Sequence, residues 1–194
     1  MEIPMPPERH QLNIEQRRNA MKHLTETRDA VKRSANNLTE AQWNFKPSPQ
    51  RWSILDILEH LVIFEHYTHH VISSMKDIPL DESDHDPVEI DQFIVCTVPD
   101  RSKKLQTPPP GEPTGRWKST EVVEQFLLAR ARTQELLEES PYLRGRIVLN
   151  PLYTSSPGWD GYSWIFALAL HSGRHTLQIE ELKNDPNFPP LRKN

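Results

Sequence analysis

Apolar residues recur at intervals of three and four along four stretches of the chain, which is the period of an amphipathic helix. Ser53 and Ser119 stand where a side-chain oxygen can cap the first free amide groups of a helix, and Asn184 and Pro186 end the last stretch. The pattern therefore predicts four helices, over Leu12 to Asn37, Ser53 to Met75, Ser119 to Glu139 and Gly161 to Lys183.

A long connection runs from Asp77 to Lys118, between the second and third predicted helices. It contains seven prolines, which disfavour a continuous helix because proline removes a backbone donor. Within it, Ile90 to Val98 is rich in β-branched residues and is predicted to be a short extended piece. A connection of this length joins distant corners of a helix bundle. The expected fold is therefore all-α: a four-helix bundle with a long, proline-rich crossover between helices two and three.

The bulk composition fits a single soluble domain spanning residues 1–194. The longest apolar run, Trp164 to Leu170, is too short to cross a membrane. The net charge of −4, without any basic run, argues against a nucleic-acid partner. Residues 1–10 resemble no secretion signal, and the single cysteine, Cys96, permits neither an internal disulfide nor a cysteine-based zinc site. A cytoplasmic protein is the simplest expectation.

Three histidines occupy the apolar sides of two predicted helices. His171 and His175 are four residues apart, so they lie one turn apart on one face of the fourth helix. His60 lies beside the inward stripe of the second helix, with Ile57 and Phe64. A histidine pair at this spacing is a weak signal by itself, because a buried histidine is more often a hydrogen-bonded core residue. Since bundles build metal sites from inward side chains on facing helices, the three histidines are candidate ligands of one divalent ion.

Two segments resemble the motifs of the DinB-like proteins, which are metal-binding helical bundles. They are Trp52-Ser-Ile followed by His60-Leu and Glu65, and Asp160-Gly-Tyr-Ser-Trp164 followed by His171-Ser-Gly-Arg-His175-Thr-Leu-Gln178. The likeness extends over nearly the whole chain. The resemblance implies an up-down-down-up bundle and a metal site at His60, His171 and His175. It also implies one of two activities: S-transfer with a low-molecular-weight thiol such as bacillithiol or mycothiol, or metal-dependent hydrolysis.

The function expected from these residues is that of a divalent-metal-binding protein, with zinc or nickel as the first candidates among ions that favour imidazole. The first hypothesis is a thiol S-transferase acting on a small electrophile, because the ion would lower the pKa of the thiol. With water at the ion, the same site would support a hydrolase. A metal-binding stress protein without turnover is a third alternative. The expected partners are a small-molecule substrate or thiol, with no nucleic acid and no membrane, and a homodimer is an open alternative.

Three polar residues near the candidate ligands have two interpretations each. Glu65 is either a general base or the partner of a basic side chain. Arg174 either binds an anionic substrate or forms an ion pair, and Gln178 either orients a ligand or bonds to backbone.

Three further groups of residues are interpreted without a role at the metal. Three tryptophans near the candidate site are interpreted as packing residues rather than as a stacking platform for nucleotides: Trp52, Trp159 and Trp164. The other histidines of the second helix are predicted to be mainly surface residues: His66, His69 and His70. The acidic segment of the connection is predicted to be a solvated loop: Asp84, His85 and Asp86.

Overall fold

The computed structural model describes residues 11–81, 87–102, 105–140, 143–153, 156 and 158–191. In these ranges the regular structure is helical, and the β pairing is limited to an isolated bridge between Val148 and Trp159. The α-helices are α1 Ile14–Ser34, α2 Glu40–Trp43, α3 Ile54–Ser74, α4 Pro87–Thr97, α5 Ser119–Glu139 and α6 Gly161–Lys183, and two short 3-10 helices span Met75–Asp77 and Pro109–Gly111. The all-α prediction is confirmed. Among the described helices, none has the length and apolar character needed to cross a membrane.

Capping side chains set the starts of α3 and α6. The Ser53 hydroxyl accepts a hydrogen bond from the Asp56 amide at 3.1 Å, and the Asp56 carboxylate accepts one from the Ser53 amide at 2.9 Å. This capping box satisfies two amide groups that a helix leaves free in its first turn. Asp160 caps α6 by accepting a hydrogen bond from the Ser163 amide at 2.9 Å. The predicted bounds of the last helix, Gly161 to Lys183, are confirmed.

The predicted hydroxyl cap at Ser119 is wrong. Lys118 occupies the N-cap position of α5 and makes no side-chain capping bond. Ser119 is instead the first helical residue, and its hydroxyl donates to the Glu40 carboxylate of α2. The short helix α2 starts with its own capping box, formed by Thr39 and Gln42. The spacing of apolar residues misses α2, because four residues are too few to display a helical period.

The segment Ile90 to Val98 was predicted to be extended, and this prediction is wrong. Most of the segment belongs to helix α4. Ile90, Ile94 and Val98 are spaced four apart and are 3%, 0% and 3% exposed, so they form one apolar stripe in the core beside α6. Burying such a side chain contributes about 1.5–3 kcal/mol, which exceeds the modest strand preference of β-branched residues. The connection between α3 and α5 therefore contains a helix.

The four long helices, α1, α3, α5 and α6, pack on one another. α1 contacts α5 and α6, and α3 contacts the same two helices. The buried apolar side chains form two clusters. One joins Trp164 of α6 to Leu24 of α1, and the other joins Ile57, Phe126 and Ile179 from α3, α5 and α6. This packing holds α3 and α6 side by side, and these two helices carry the candidate metal ligands.

A fully buried ion pair also links the long helices. Arg130 of α5 donates from Nε to the Glu65 carboxylate of α3 at 2.6 Å, and both side chains are 0% exposed. The remaining nitrogens of Arg130 donate to α1, at the Leu24 carbonyl and the Thr27 hydroxyl, and to α6, at the Ser172 hydroxyl. These bonds offset the cost of removing the two charges from water. A single arginine thus ties four helices together.

Candidate metal centre

Three imidazoles from two helices meet at one point. His60 belongs to α3, and His171 and His175 belong to successive turns of α6. One ring nitrogen of each histidine lies within 4.8 Å of the other two, and the Nε2 atoms of His60 and His171 are 2.9 Å apart. The structure therefore brings together all three predicted ligand residues, although His60 and His171 are 111 positions apart in the chain.

Hydrogen bonds determine which ring nitrogen faces the centre of this cluster. The Nδ1–H group of His60 donates to the carbonyl oxygen of Gly111 at 2.7 Å, and that of His175 donates to Oε1 of Gln178 at 2.9 Å. An oxygen acceptor at Nδ1 leaves the lone pair of a neutral imidazole on Nε2. Metal-ligating histidines almost always make such a bond, because it orients the ring and raises the basicity of the ligating nitrogen. His60 and His175 therefore have the tautomer that a metal ligand requires.

Burial keeps the three rings neutral. Loss of contact with water lowers the pKa of His60, and the hydrogen bond to Gly111 only partly opposes that shift. Burial also lowers the pKa of His171 and of His175 to well below the usual value, and neighbouring imidazoles lower both further, because two protonated rings would repel each other. All three rings are therefore neutral at neutral pH, with one ring nitrogen free of a proton, and this is the form of histidine that binds a metal ion.

Hydrogen bonds to Glu59, the neighbour of the candidate ligand His60, hold the connection before α5 against α3. The carboxylate of Glu59, which is 1% exposed, accepts hydrogen bonds at 2.7, 3.0 and 3.2 Å from three successive backbone amides, those of Thr114, Gly115 and Arg116. Gly115 has a φ of 75°, a left-handed conformation that side-chain-bearing residues rarely adopt. Glu59 thus holds in place the segment that carries the Gly111 carbonyl.

A cavity of about 790 Å³ opens over the three imidazoles. Residues of α3 and of the segment before it, of the connection before α5 and of α6 line it, among them Trp52, Phe64, Arg101 and Arg174. A volume of this size accommodates a small organic molecule. Since the imidazoles form part of its wall, a molecule in the cavity can reach them.

The sequence pattern of the DinB superfamily matches residues 23–179, a range that contains all three histidines. The chain belongs to the DinB superfamily. It is also 26% identical to the uncharacterized protein YuaE of Bacillus subtilis (strain 168) over 154 residues, which cover 75% of this chain and 86% of YuaE. No solved structure matches the chain significantly. The family resemblance seen in the sequence motifs is confirmed.

The donor set of this DinB protein fits a metal ion. Two nitrogen lone pairs at the 2.9 Å that separates His60 and His171 repel each other unless a proton or a cation lies between them. Within the part of the chain that the structure describes, the cluster consists of three imidazoles without a carboxylate. Such a set suits ions that favour nitrogen ligands. The cluster can therefore hold one metal ion.

Glu65 is bound within the core and is not a base at this centre. Its Oε1 receives the hydrogen bond from Arg130, and its Oε2 receives one from the Thr133 hydroxyl. Since Thr133 uses its only hydrogen there, the Nε2–H group of His69 donates to the Thr133 oxygen at 2.8 Å. The ion-pair interpretation of Glu65 is correct.

His69 is half-buried, and burial lowers its pKa to about 4, so its prediction as a surface residue is only partly correct.

Gln178 and Arg174 of α6 both line the cavity, but they have different hydrogen-bond partners. Gln178 accepts the hydrogen bond from His175, so it orients a candidate ligand, which was the first of its two interpretations. Arg174 lines the cavity, and its guanidinium donates to the Asp100 carbonyl. Arg101 in turn donates to the Arg174 carbonyl at 3.1 Å. These bonds hold Arg174 at the cavity wall against the segment that follows α4.

The tryptophans pack as predicted, with one difference. Trp159 and Trp164 are each 1% exposed, and their ring centroids are 5.1 Å apart in the core. Trp52 is half-buried, and its ring centroid lies 4.8 Å from that of His60. Trp52 therefore contacts the candidate centre directly.

The other candidate groups lie away from the centre or outside the described residues. His66 and His70 are exposed, as predicted. The acidic segment with Asp84, His85 and Asp86 lies outside the ranges that the structure describes, as do the first ten residues.

The sequence pattern does not predict the roles of Glu59 and Gly111. A signal for Glu59 exists: it is a carboxylate between Leu58 and His60 on an apolar helix turn, and a buried carboxylate requires a partner. No such signal exists for Gly111, because its contribution comes from a backbone carbonyl that every residue possesses.

Proposed function

We propose that this DinB protein binds one divalent metal ion, zinc or nickel, through the Nε2 atoms of His60, His171 and His175. The observation that carries the proposal is the pair of oxygen acceptors on Nδ1, the Gly111 carbonyl and the Gln178 amide oxygen, which direct two Nε2 lone pairs to the same point. The lowered pKa of each imidazole supports it. Three protein ligands leave at least one coordination position open, as in catalytic zinc sites.

We further propose that the protein is an S-transferase that joins a low-molecular-weight thiol to a small electrophile. When bound by these three imidazoles, the ion would supply positive charge that lowers the pKa of a thiol beside it. The thiol loses its proton to water, its sulfur forms a bond to an electrophilic carbon, and the displaced group leaves with the electron pair of the broken bond. The chain's own residues orient the imidazoles, keep them neutral and form the cavity for the electrophile.

The composition of the cluster favours thiol transfer over hydrolysis. Hydrolysis uses a base beside the attacking water, and the described cluster consists of imidazoles without a carboxylate. Glu65, the nearest candidate base in the family motif, is bound to Arg130. A thiol has less need of a base, because its pKa is about 8.5 when free and falls beside positive charge.

The test is a conjugation assay with metal-depleted and zinc-restored protein. Cys96 is exposed and would react with the electrophile, so the assay uses the Cys96→Ser protein. Bacillithiol, mycothiol and glutathione are each offered with chlorodinitrobenzene, and formation of the thioether is followed by absorbance. We expect a rate that requires both thiol and zinc, that His60→Ala abolishes and that His66→Ala retains.

Two other results would contradict the transferase proposal. Zinc-dependent cleavage of an ester without any thiol would identify the protein as a hydrolase. Stoichiometric zinc without turnover of any thiol and electrophile would identify it as a metal-binding protein without catalysis.

We also propose that α1, α3, α5 and α6 form an up-down-down-up four-helix bundle, a single domain over residues 1–194, with the proline-rich segment between α3 and α5 as the crossover. The lengths of these helices, 21 or 23 residues, and the contacts of α1 and α3 with both α5 and α6 support the bundle. A cytoplasmic location belongs to the same proposal, because low-molecular-weight thiols are kept reduced there. The partners proposed are small molecules, and a homodimer is an alternative that sedimentation would detect.

A further inference from the structure

Aromatic rings flank the imidazole cluster on two sides. The ring centroid of Trp52 lies 4.8 Å from that of His60, and the ring centroid of Phe64 lies 4.5 Å from that of His171. Both aromatic rings are half-buried and line the cavity. Tyr67 continues this wall outward, because its ring stacks on Phe64 at 6.4 Å with an interplanar angle of 18°. A molecule that reaches the imidazoles therefore passes between aromatic surfaces.

The mouth of the same cavity carries large apolar side chains that the fold leaves uncovered. Tyr67, Leu105 and Leu152 are 41%, 45% and 38% exposed, and all three line the cavity. They come from α3, from the connection before α5 and from the segment before α6. Exposed apolar residues scattered singly need no explanation, but their convergence at one concave site marks a place where apolar surface is buried on binding.

Two of the three arginines that line the cavity, Arg101 and Arg174, are engaged with protein oxygens. Arg101 donates to Glu181 at 2.5 Å and to the Arg174 carbonyl at 3.1 Å, and Arg174 donates to the Asp100 carbonyl. These bonds shape the wall on the α6 side and occupy donors of both guanidinium groups. The lining of the cavity is mainly apolar. The body of a ligand in the cavity therefore meets rings and aliphatic side chains over most of its surface.

We infer that the substrate of this site is an apolar molecule with an aromatic ring system and one polar reactive group. Its rings contact Trp52, Phe64 and Tyr67, and its polar group reaches the imidazole cluster. The cavity, at about 790 Å³, is large enough for two fused rings. This inference rests on the proposed metal site, and it names the class of electrophile on which that site acts.

Two hydroxamates that share one metal-binding group test the inference. Acetohydroxamate carries only a methyl group, whereas naphthohydroxamate carries two fused aromatic rings. Each is titrated into the zinc-loaded protein by calorimetry. We expect naphthohydroxamate to bind about 100-fold tighter, because its rings bury apolar surface that a methyl group cannot. Equal affinities would overturn the inference.

The metal-free protein separates this inference from the proposed function. If both compounds bind only with zinc, and equally tightly, the metal site stands and the aromatic substrate class is wrong. If naphthohydroxamate binds with the same affinity with and without zinc, the cavity accepts aromatic molecules and the proposed metal site is wrong. If neither compound binds, both proposals are wrong.

Variants at the mouth locate the bound rings. Tyr67→Ser and Leu152→Ser change partly exposed side chains, and circular dichroism checks that each variant keeps the parental fold. Each is expected to weaken naphthohydroxamate binding about tenfold and to leave acetohydroxamate binding unchanged. Leu177→Ser is the matched control, because Leu177 is 56% exposed on α6 and lies outside the cavity wall. Parental affinity of naphthohydroxamate for the Tyr67 and Leu152 variants would also overturn the inference.

Discussion

The Nδ1–H group of His60 donates a hydrogen bond of 2.7 Å to the carbonyl oxygen of Gly111, 51 positions further along the chain. Glu59, the residue before it, binds the amides of residues 114–116. Two adjacent residues of α3 thus fasten one short segment at two points. The orientation of His60 depends on that segment, and the segment depends on the carboxylate of Glu59.

Glu59→Gln is predicted to weaken zinc binding. An amide offers one acceptor oxygen, and its NH₂ group would face backbone N–H donors, so the segment that carries Gly111 would lose its anchor. Loss of an outer partner of a metal-ligating histidine typically lowers metal affinity 10–100-fold, and we expect a decrease of that order. Competition with a fluorescent zinc chelator measures it.

Glu26→Gln is the control for this substitution, because Glu26 is a largely exposed glutamate on α1. It is expected to keep the parental zinc affinity. Nitrogen NMR of the imidazoles gives a second readout, since the Glu59 variant should lose the single Nδ1–H tautomer of His60. Parental affinity together with a parental His60 tautomer would show that the anchor has no influence on the centre.

His60→Ala or His171→Ala is predicted to remove most of the bound metal while the protein stays helical. Each substitution deletes one of three nitrogen donors and leaves the helix ends and the two apolar clusters intact. Elemental analysis of purified protein, beside circular dichroism, measures both properties. His66→Ala is the matched control, because His66 is an exposed histidine of α3, the helix that carries His60. Full metal occupancy in the His60 and His171 variants would refute the ligand assignment.

Arg130→Met is predicted to lower the free energy of unfolding by about 3–5 kcal/mol, because it leaves the buried Glu65 carboxylate without its counter-charge. Urea denaturation measures the loss. Arg132→Met is the control: Arg132 is 53% exposed and pairs with Glu135, and such surface pairs contribute about 0–1 kcal/mol. Similar small losses for both variants would show that the buried pair does not hold the four helices together.

His69 is predicted to make the metal-free protein less stable as the pH falls. Burial lowers its folded-state pKa to about 4, whereas in the unfolded chain the pKa is near 6.5. The unfolded chain therefore takes up the proton first, and the contribution of His69 is complete above about pH 6.5 and decreases between about pH 6.5 and pH 4. The three clustered histidines shift in the same direction, so the contribution of His69 must be isolated by comparison.

His69→Gln keeps a donor for Thr133 and removes the titration. It is expected to lose less stability than the parent between about pH 7 and pH 4.5, by about 1 kcal/mol once solvent screening of this half-buried ring is included. Urea denaturation at both pH values measures the difference. His70→Gln, at an exposed neighbour, is expected to follow the parent. Identical pH dependence of the His69 variant and the parent would contradict the lowered pKa.

Local chemistry explains how much of the fold could be predicted. The bounds of α6 follow from the cap at Asp160 and the stop at Asn184, and the start of α3 follows from the Ser53 capping box. These signals lie within a few residues of the feature they determine. α4 was misassigned because its β-branched residues favour a strand locally, and only packing of Ile94 against distant helices decides for the helix.

For the candidate centre, too, local sequence predicts one part, the ligand residues, and does not predict the other, their hydrogen-bond partners. Helical periodicity could place His171 and His175 on one face, and the inward stripe of α3 could place His60 opposite them. The acceptor that orients His60 is a backbone carbonyl at the end of a short 3-10 helix, Pro109–Gly111, and a sequence pattern carries no information on its position. The partner of Glu65 likewise comes from α5, 65 positions away, so two interpretations of that residue were open until the helices were packed.

Gly111 orients His60 with its carbonyl and also forms part of the cavity wall. An organic molecule in the cavity therefore touches the same stretch of backbone that sets the tautomer of one candidate ligand. Under the proposed function, binding of the ion and binding of the molecule would be thermodynamically linked: if the ion changed the dissociation constant of the molecule by some factor, the molecule would change that of the ion by the same factor. Retention of the metal would then vary with the supply of substrate.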